Sequence, residues 1–230
     1  MDPVALAALR RSYELAGLDV SDVDPDPIAQ FDRWLADSVA ADLTEPNAMV
    51  LATADATGRP RARTVLLKSF SSRGFTFFTN YESTKGQHLQ QNPQASLCFP
   101  WYALERQVVV VGVVHRLGRG ESERYFHSRP RGSQLGAAAS PQSRPIGSRA
   151  ELVQRYADLD DQYPEGNEIP APDNWGGYVV VPSTIEFWQG GAHRLHDRIN
   201  YQRASAPEPN APTPEPNVPE AEWHITRLSP

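Results

Sequence analysis

The stretch MVLATADATGRPRARTVLLKSFSSRGFTFFTN, residues 49–80, decides the fold. Its apolar side chains recur at every second position, β-branched and aromatic residues dominate, and Thr57-Gly58 and Arg73-Gly74 punctuate it as turns. This pattern predicts three strands, 49–54, 62–70 and 75–80, running as a meander. Further along, ASLCFPW, RQVVVVGVVHRL, WGGYVVVP, TIEFWQG, DRINYQ and EWHITRL carry the same signature over residues 95–101, 106–117, 175–182, 184–190, 197–202 and 222–228.

Helical signals flank these strands. Residues 5–17 read as a short amphipathic helix, and Asp26 before Pro27 supplies an N-cap and a first-turn proline for a second, with the stripe Ile28, Phe31, Trp34, Leu35 and Val39. Ser83 caps a helix to about Gln91, another covers 121–128, and Ser148 with Glu151 forms a capping-box pattern opening a helix to about Tyr163. The expected class is therefore mainly β with flanking helices: one domain over 1–230, with an N-terminal helical segment over 1–45. Residues 204–221 hold six prolines and few large apolar side chains. That composition buries too little surface to offset its ordering entropy and reads as a flexible loop between the last two strands.

Bulk composition narrows the function classes. The 230 residues are 40% hydrophobic, enough for a sizeable core, and the net charge of −6 argues against non-specific nucleic-acid binding. No apolar run approaches the roughly 18 residues of a membrane span, and the N-terminus lacks the basic-then-apolar order of a secretory leader, so a cytoplasmic location with no membrane partner is expected. Cys98, the single cysteine, lies in an apolar run and reads as a core thiol. Charge is uneven: residues 1–50 hold ten acids and three bases, whereas 105–150 hold eight arginines and three glutamates. Such a basic block in an acidic chain suits small phosphorylated ligands, because guanidinium forks match phosphate oxygens; a solvated arginine surface would give the same count.

Four clusters point to chemistry. The strand Arg61 to Lys68 sends Arg63 to one face and Lys68 to the other, which a purely structural strand tolerates only at exposed ends. In NYESTKGQH the helix opening at Ser83 offers free N–H groups with Lys85 beside them, a generic phosphate cradle. In ESERYFHSRPRGSQLG, Tyr125 and Arg129 share a helical face, and Pro130 ends the helix so that Arg131 and Ser133 project from the turn. The most informative run is IEFWQGGAHRLHDR, residues 185–198, in which Arg194, His196 and Arg198 alternate beyond Trp188. Three cationic groups on one strand face call for an anion or polar cofactor; a metal site is a poor alternative, since carboxylates are few nearby.

Together with RTVLLK, TNYESTKGQH, FPWYALERQV, YFHSRPRGSQLG, SPQS and WGGY in this order, that run resembles the signatures of the pyridoxine/pyridoxamine 5′-phosphate oxidases, from LRRSY near the start to the final TRLSP. The resemblance implies a Greek-key-like split β-barrel working as a homodimer, with one flavin mononucleotide (FMN) in each of two clefts at the subunit interface. It implies FMN contacts from Arg63, Thr64, Val65, Leu66, Leu67, Lys68, Phe78, Thr79, Lys85, Gln107, Gln142, Ser143, Trp188 and Arg198. The substrate phosphate of pyridoxamine or pyridoxine 5′-phosphate would fall to Lys68, Tyr125, Arg129 and Ser133, with Arg194 and His196 at the carbon being oxidised and Arg10 and Tyr13 closing the pocket. The implied reaction yields pyridoxal 5′-phosphate, with dioxygen reduced to hydrogen peroxide and no metal. Thr84, Phe78 and Ala138 depart from the family pattern, where a basic residue, a tyrosine and a tryptophan are common. Two rivals share these features: a related split-barrel flavin or deazaflavin reductase with another substrate, and a carrier that holds pyridoxal phosphate or FMN without turnover.

Overall fold

A computed structural model describes residues 2, 12–209, 212–213 and 221–230 of the chain. Nine strands, all paired antiparallel, form one curled sheet: β1 (Ala48–Ala54), β2 (Pro60–Leu66), β3 (Ser69–Ser71), β4 (Gly74–Asn80), β5 (Gln94–Trp101), β6 (Arg106–Arg116), β7 (Trp175–Gln189), β8 (Asp197–Arg203) and β9 (Trp223–Arg227). Neighbours run in the order β2-β1-β5-β6-β7-β4-β3, with β8 pairing β7 and β9 pairing β8. The predicted meander is corrected by this order. β1 and β2 form one hairpin and β3 and β4 another, at opposite ends of the path, because β4 pairs with β7 rather than with β2.

The segments WGGYVVVP and TIEFWQG, expected as two strands, are one. β7 runs through Pro182, which lacks the N–H a central ladder needs, yet the strand changes partners there. Trp175 to Val180 pair with β4 and Thr184 to Gln189 with β8, while β6 follows from Tyr178 to Gln189 and shifts register between Val111 and Gly112. A Cβ at Gly112 would lie 2.1 Å from the Val181 carbonyl oxygen, so only glycine admits this approach. This branching splits the barrel.

Among the described residues, five helices flank the sheet: α1 (Pro27–Ala40), α2 (Thr84–Gln91), α3 (Arg119–Ser128), α4 (Arg131–Ala139) and α5 (Arg149–Gln162). Asp26 caps α1 by accepting from the N–H groups of Ile28 and Ala29, Ser83 caps α2 through Gly86, and Ser148 caps α5 through Glu151, as the cap signals predict. α1 drives Phe31 and Trp34 into the main core against Phe75, Phe99, Trp101 and Phe187. Val39, expected in its apolar stripe, is exposed; the last inward position belongs to Ser38, fully buried and donating to the Trp34 carbonyl at 2.8 Å.

Residues 12–17, the described end of the helix expected over 5–17, carry no helix, and 3–11 lie outside the described residues along with the Arg10 assignment. Of the loop expected over 204–221, positions 210–211 and 214–220 lie outside the described residues; at its base, Ala204 N–H donates to the Glu222 carbonyl at 2.9 Å. Cys98 is half-buried on the outer face of β5, opposite the fully buried Leu97 and Phe99, and not in the core; partial burial pushes its thiol up. A second, smaller core of Phe126, Leu135, Ile169, Ala171 and Trp175 docks α3 and α4 beside β4 and β7. No helix among the described residues is long and apolar enough to cross a membrane.

Candidate active site

That second core forms one wall of a cleft of about 670 Å³. β2 contributes Arg63, Thr64, Val65 and Leu66, and Lys68 follows; β4 contributes Phe78, Thr79 and Asn80. Lys85 enters from the first turn of α2, Tyr125 from α3, Ser133 from α4, Gln142 from the segment beyond, and Arg129 from the junction of α3 and α4. Among the described residues, four cations therefore line the space, and not one aspartate or glutamate does.

Each cation but Lys68 is partly or wholly withdrawn from water, and none of them is answered by a carboxylate among the described residues. Lys85 is buried, and its Nζ donates to Gln142 Oε1 at 2.8 Å, Thr79 Oγ1 at 3.0 Å and Ser83 Oγ at 3.3 Å, all neutral oxygens. Burial first, and the nearby Arg63 charge second, bring its pKa down to about 8. Arg63 donates through Nη1 to the Leu51 carbonyl and Thr53 Oγ1; burial and then Arg61 lower its pKa. Arg129 lies over the Trp175 ring at 4.9 Å and the Phe126 ring at 5.8 Å, is lowered by burial, and leaves a buried Nη1 with no hydrogen-bond partner. An unpaired buried guanidinium nitrogen is expensive unless an anion meets it.

Beside these cations stands an aromatic wall. Phe78 stacks on Tyr125 with ring centroids 3.8 Å apart and on Trp175 at 5.5 Å. The glycine pair of WGGY permits it: a Cβ on Gly177 would lie 2.8 Å from Phe78 Cε1, and one on Gly176 would lie 2.0 Å from the Tyr81 hydroxyl oxygen. Phe78 thus packs as a ring, with no hydroxyl to place, and Ala138 sits half-buried on α4.

Several expectations need correction. Arg131 and Ser133 do not project from a turn; Pro130 opens a further helix, α4, and Arg131 is tied to Asp160 and the Tyr163 carbonyl of α5. The small, glycine-containing run RGSQLGAAA hides this helix, although Leu135 and Ala139, four apart and both buried, mark its inner face. Leu67 is buried in the main core, and Ser143, next to Gln142, is exposed with φ of 68° and does not line the cleft.

The run beyond Trp188 is not one strand face. Ala192–Arg194 form a 3-10 turn with His193 and Arg194 at positive φ, and β8 begins only at Asp197. Arg198 pairs bidentately with Glu186, at 2.9 Å for both bonds, and donates to the Ser229 carbonyl, so its charge is met within the chain and requires no ligand. Arg194 is exposed. Gln107, Trp188 and Arg198 are cross-strand neighbours on β6, β7 and β8, and His196 packs 4.7 Å from Trp188 and 5.7 Å from Tyr13, its Nδ1 accepting from the Gly191 N–H. None of these five residues, Gln107, Trp188, Arg194, His196 and Arg198, lines the cleft of its own chain. They make a second patch.

A curled antiparallel half-barrel with a cationic cleft that is acid-free among the described residues defines the class, a split-barrel protein. Family models place it further: one described as pyridoxamine 5′-phosphate oxidase matches residues 35–163, and one described as the pyridoxine 5′-phosphate oxidase C-terminal dimerisation region matches 175–230. The chain is 53% identical over 225 residues to a pyridoxine/pyridoxamine 5′-phosphate oxidase of Paraburkholderia phymatum, covering 98% of this chain and 99% of that one. It is 49% identical over 228 residues to the oxidase of that name from Streptomyces avermitilis, covering 97% and 96%. Among solved structures, PhzG from Burkholderia lata 383, in complex with tetrahydrophenazine-1-carboxylic acid, superposes with a TM-score of 0.82 at 29% identity over 96% of this chain and all of that one. A pyridoxamine 5′-phosphate oxidase-related, FMN binding protein from Nostoc punctiforme shares the fold, with a TM-score of 0.64 at 16% identity over 87% of this chain and 97% of that one. The chain belongs to the pyridoxine/pyridoxamine 5′-phosphate oxidase family and is an oxidoreductase of that family.

Proposed function

We propose that the chain, as a homodimer, oxidises pyridoxamine or pyridoxine 5′-phosphate to pyridoxal 5′-phosphate with FMN in the cleft. The observation that carries this reading is the acid-free set of Arg63, Lys68, Lys85 and Arg129, with the unpartnered Arg129 Nη1 among them. Such a cleft suits phosphate groups, and the flat Phe78, Tyr125 and Trp175 wall suits ring-shaped guests. Held in the cleft, FMN would supply the redox chemistry, hydride acceptance from C4′ of the substrate and reoxidation by dioxygen to hydrogen peroxide, with water then converting the imine of the amine substrate to aldehyde and ammonia.

The chain's own residues bind and orient. Arg63 and Lys85, with Thr64, Val65, Leu66, Lys68, Thr79 and Gln142, hold the cofactor; Tyr125, Arg129 and Ser133, again with Lys68, fix the substrate phosphate. Gln107, Trp188 and Arg198 fall in or beside the region matched by the dimerisation model, away from this chain's cleft, which fits their delivery to the cleft of the second copy. Arg194 and His196 travel with that patch and would position the C4′ amine or alcohol. The Gly191 N–H on Nδ1 leaves His196, when neutral, with its proton on Nε2.

The test is one spectrum and one assay. Purified protein that is yellow and releases peroxide with pyridoxamine 5′-phosphate supports the reading. A yellow protein inert to phosphorylated vitamers, or a colourless one that retains pyridoxal phosphate, overturns it.

A further inference from the structure

Arg63 reaches the cleft with one end of its guanidinium already tied down. Its Nη1 donates to the Leu51 carbonyl at 3.0 Å and to Thr53 Oγ1 at 2.8 Å, which uses both Nη1 hydrogens. No described residue engages its Nε or Nη2. Thr53 is buried on β1, and its Oγ1 lies 3.2 Å from Nδ1 of His88, buried on α2. A guanidinium has donors and no lone pair, so a hydroxyl that accepts from it must send its own hydrogen elsewhere. With the neutral His88 ring carrying its proton on Nε2, Nδ1 is the acceptor in reach, and the bonds then run in one direction: Arg63 donates to Thr53, and Thr53 donates to His88.

His88 does not line the cleft, and its ring is buried behind β1, so nothing in the reaction requires it there. Its position has a consequence for the cleft all the same. With Nη1 held against β1, the parallel N–H groups of Nε and Nη2 are the edge left for an anion, and that edge matches two oxygens of one phosphate.

We propose that His88 is a positioning residue for the flavin phosphate: through Thr53 it sets the rotation of Arg63 so that the Nε and Nη2 edge meets the anion. The proposal rests on the reading that the cleft holds FMN. Loss of the relay leaves Arg63 charged and steadied by the Leu51 carbonyl without an oriented Thr53 hydroxyl beside it, so affinity falls for a ligand with the phosphate and stays unchanged for one without it.

The experiment titrates full-length apoprotein with FMN and with riboflavin, which lacks the phosphate, following flavin fluorescence, and records Tm in parallel. His88→Leu and Thr53→Val are each expected to weaken FMN binding roughly ten-fold, about the loss of one oriented charge-assisted bond, and to leave riboflavin binding unchanged. His88→Asn, whose amide oxygen takes the place of Nδ1 as acceptor, restores FMN affinity to near wild type. In an Arg63→Ala background, His88→Leu has no further effect. Equal losses for FMN and riboflavin, or a full additional loss in the Arg63→Ala background, overturn the proposal and leave His88 a packing residue. Should His88→Leu fail to fold, His88→Asn and Thr53→Val carry the same comparison. Wild-type protein that binds FMN no better than riboflavin sinks the reading of the cleft itself, an outcome visible before any variant is made.

Discussion

Replacing Arg129 by alanine separates substrate binding from chemistry. In the unliganded protein the guanidinium contributes a cation–π contact with Trp175 and carries a buried Nη1 without a partner. The first is worth about 0.5 to 2 kcal/mol and the second opposes it by about 1 to 3 kcal/mol, so folding stability changes little. On binding phosphate the same nitrogen gains a charge-assisted bond of about 1.5 to 3 kcal/mol, and its removal raises KM by roughly ten- to 150-fold. Arg129 is read as a phosphate contact, not a group at the reacting carbon, so kcat stays within a few-fold. Steady-state peroxide release with pyridoxamine 5′-phosphate gives both constants, and unphosphorylated pyridoxamine serves as the control on which the variant and wild type perform alike. A fall in kcat at unchanged KM, or an equal loss on the unphosphorylated substrate, would refute the assignment.

Arg194→Ala reverses that pattern, with kcat lowered by about 10²-fold, the scale of a positioning loss, and KM changed much less; a KM effect alone would remove Arg194 from the reacting carbon. Lys85 has a folded-state pKa brought from 10.5 to about 8, so the unfolded chain holds the proton more tightly and its contribution to apoprotein stability improves as pH rises from about 8 toward 10.5. Lys85→Met therefore raises the apoprotein Tm at pH 7, with the advantage shrinking near pH 10, while wild-type FMN affinity weakens above about pH 8; calorimetry and flavin titration across this range check both signs. Replacing residues 205–221 by Asn-Gly, a two-residue hairpin closing on the Ala204–Glu222 bond, leaves turnover within two-fold; abolished turnover would give the proline-rich segment a role in the reaction.

Much of the fold was legible because the signals are local. Alternation over two residues marks a strand, and a side-chain oxygen one position before a helix marks its start, so β1, β5 and β6 and the caps Asp26, Ser83 and Ser148 were readable from immediate neighbours. Alternation states which face a residue takes and not which strand lies beside it. Hence the meander was misassigned, and β7 was broken at Pro182, whose missing N–H is tolerated only because the strand exchanges β4 for β8 there.

The site divides in the same way. Sequence by itself determined which side chains carry charge and that Lys85, Arg129 and Arg63 sit on or beside elements able to present them. Only the tertiary structure decided which charges are answered: Arg198 finds Glu186 across a strand pair and Arg131 finds Asp160 on another helix, whereas Arg63, Lys85 and Arg129 meet no carboxylate among the described residues. Charge balance is a sum over residues far apart in the chain, fixed by strand order and helix docking, and no local pattern records it.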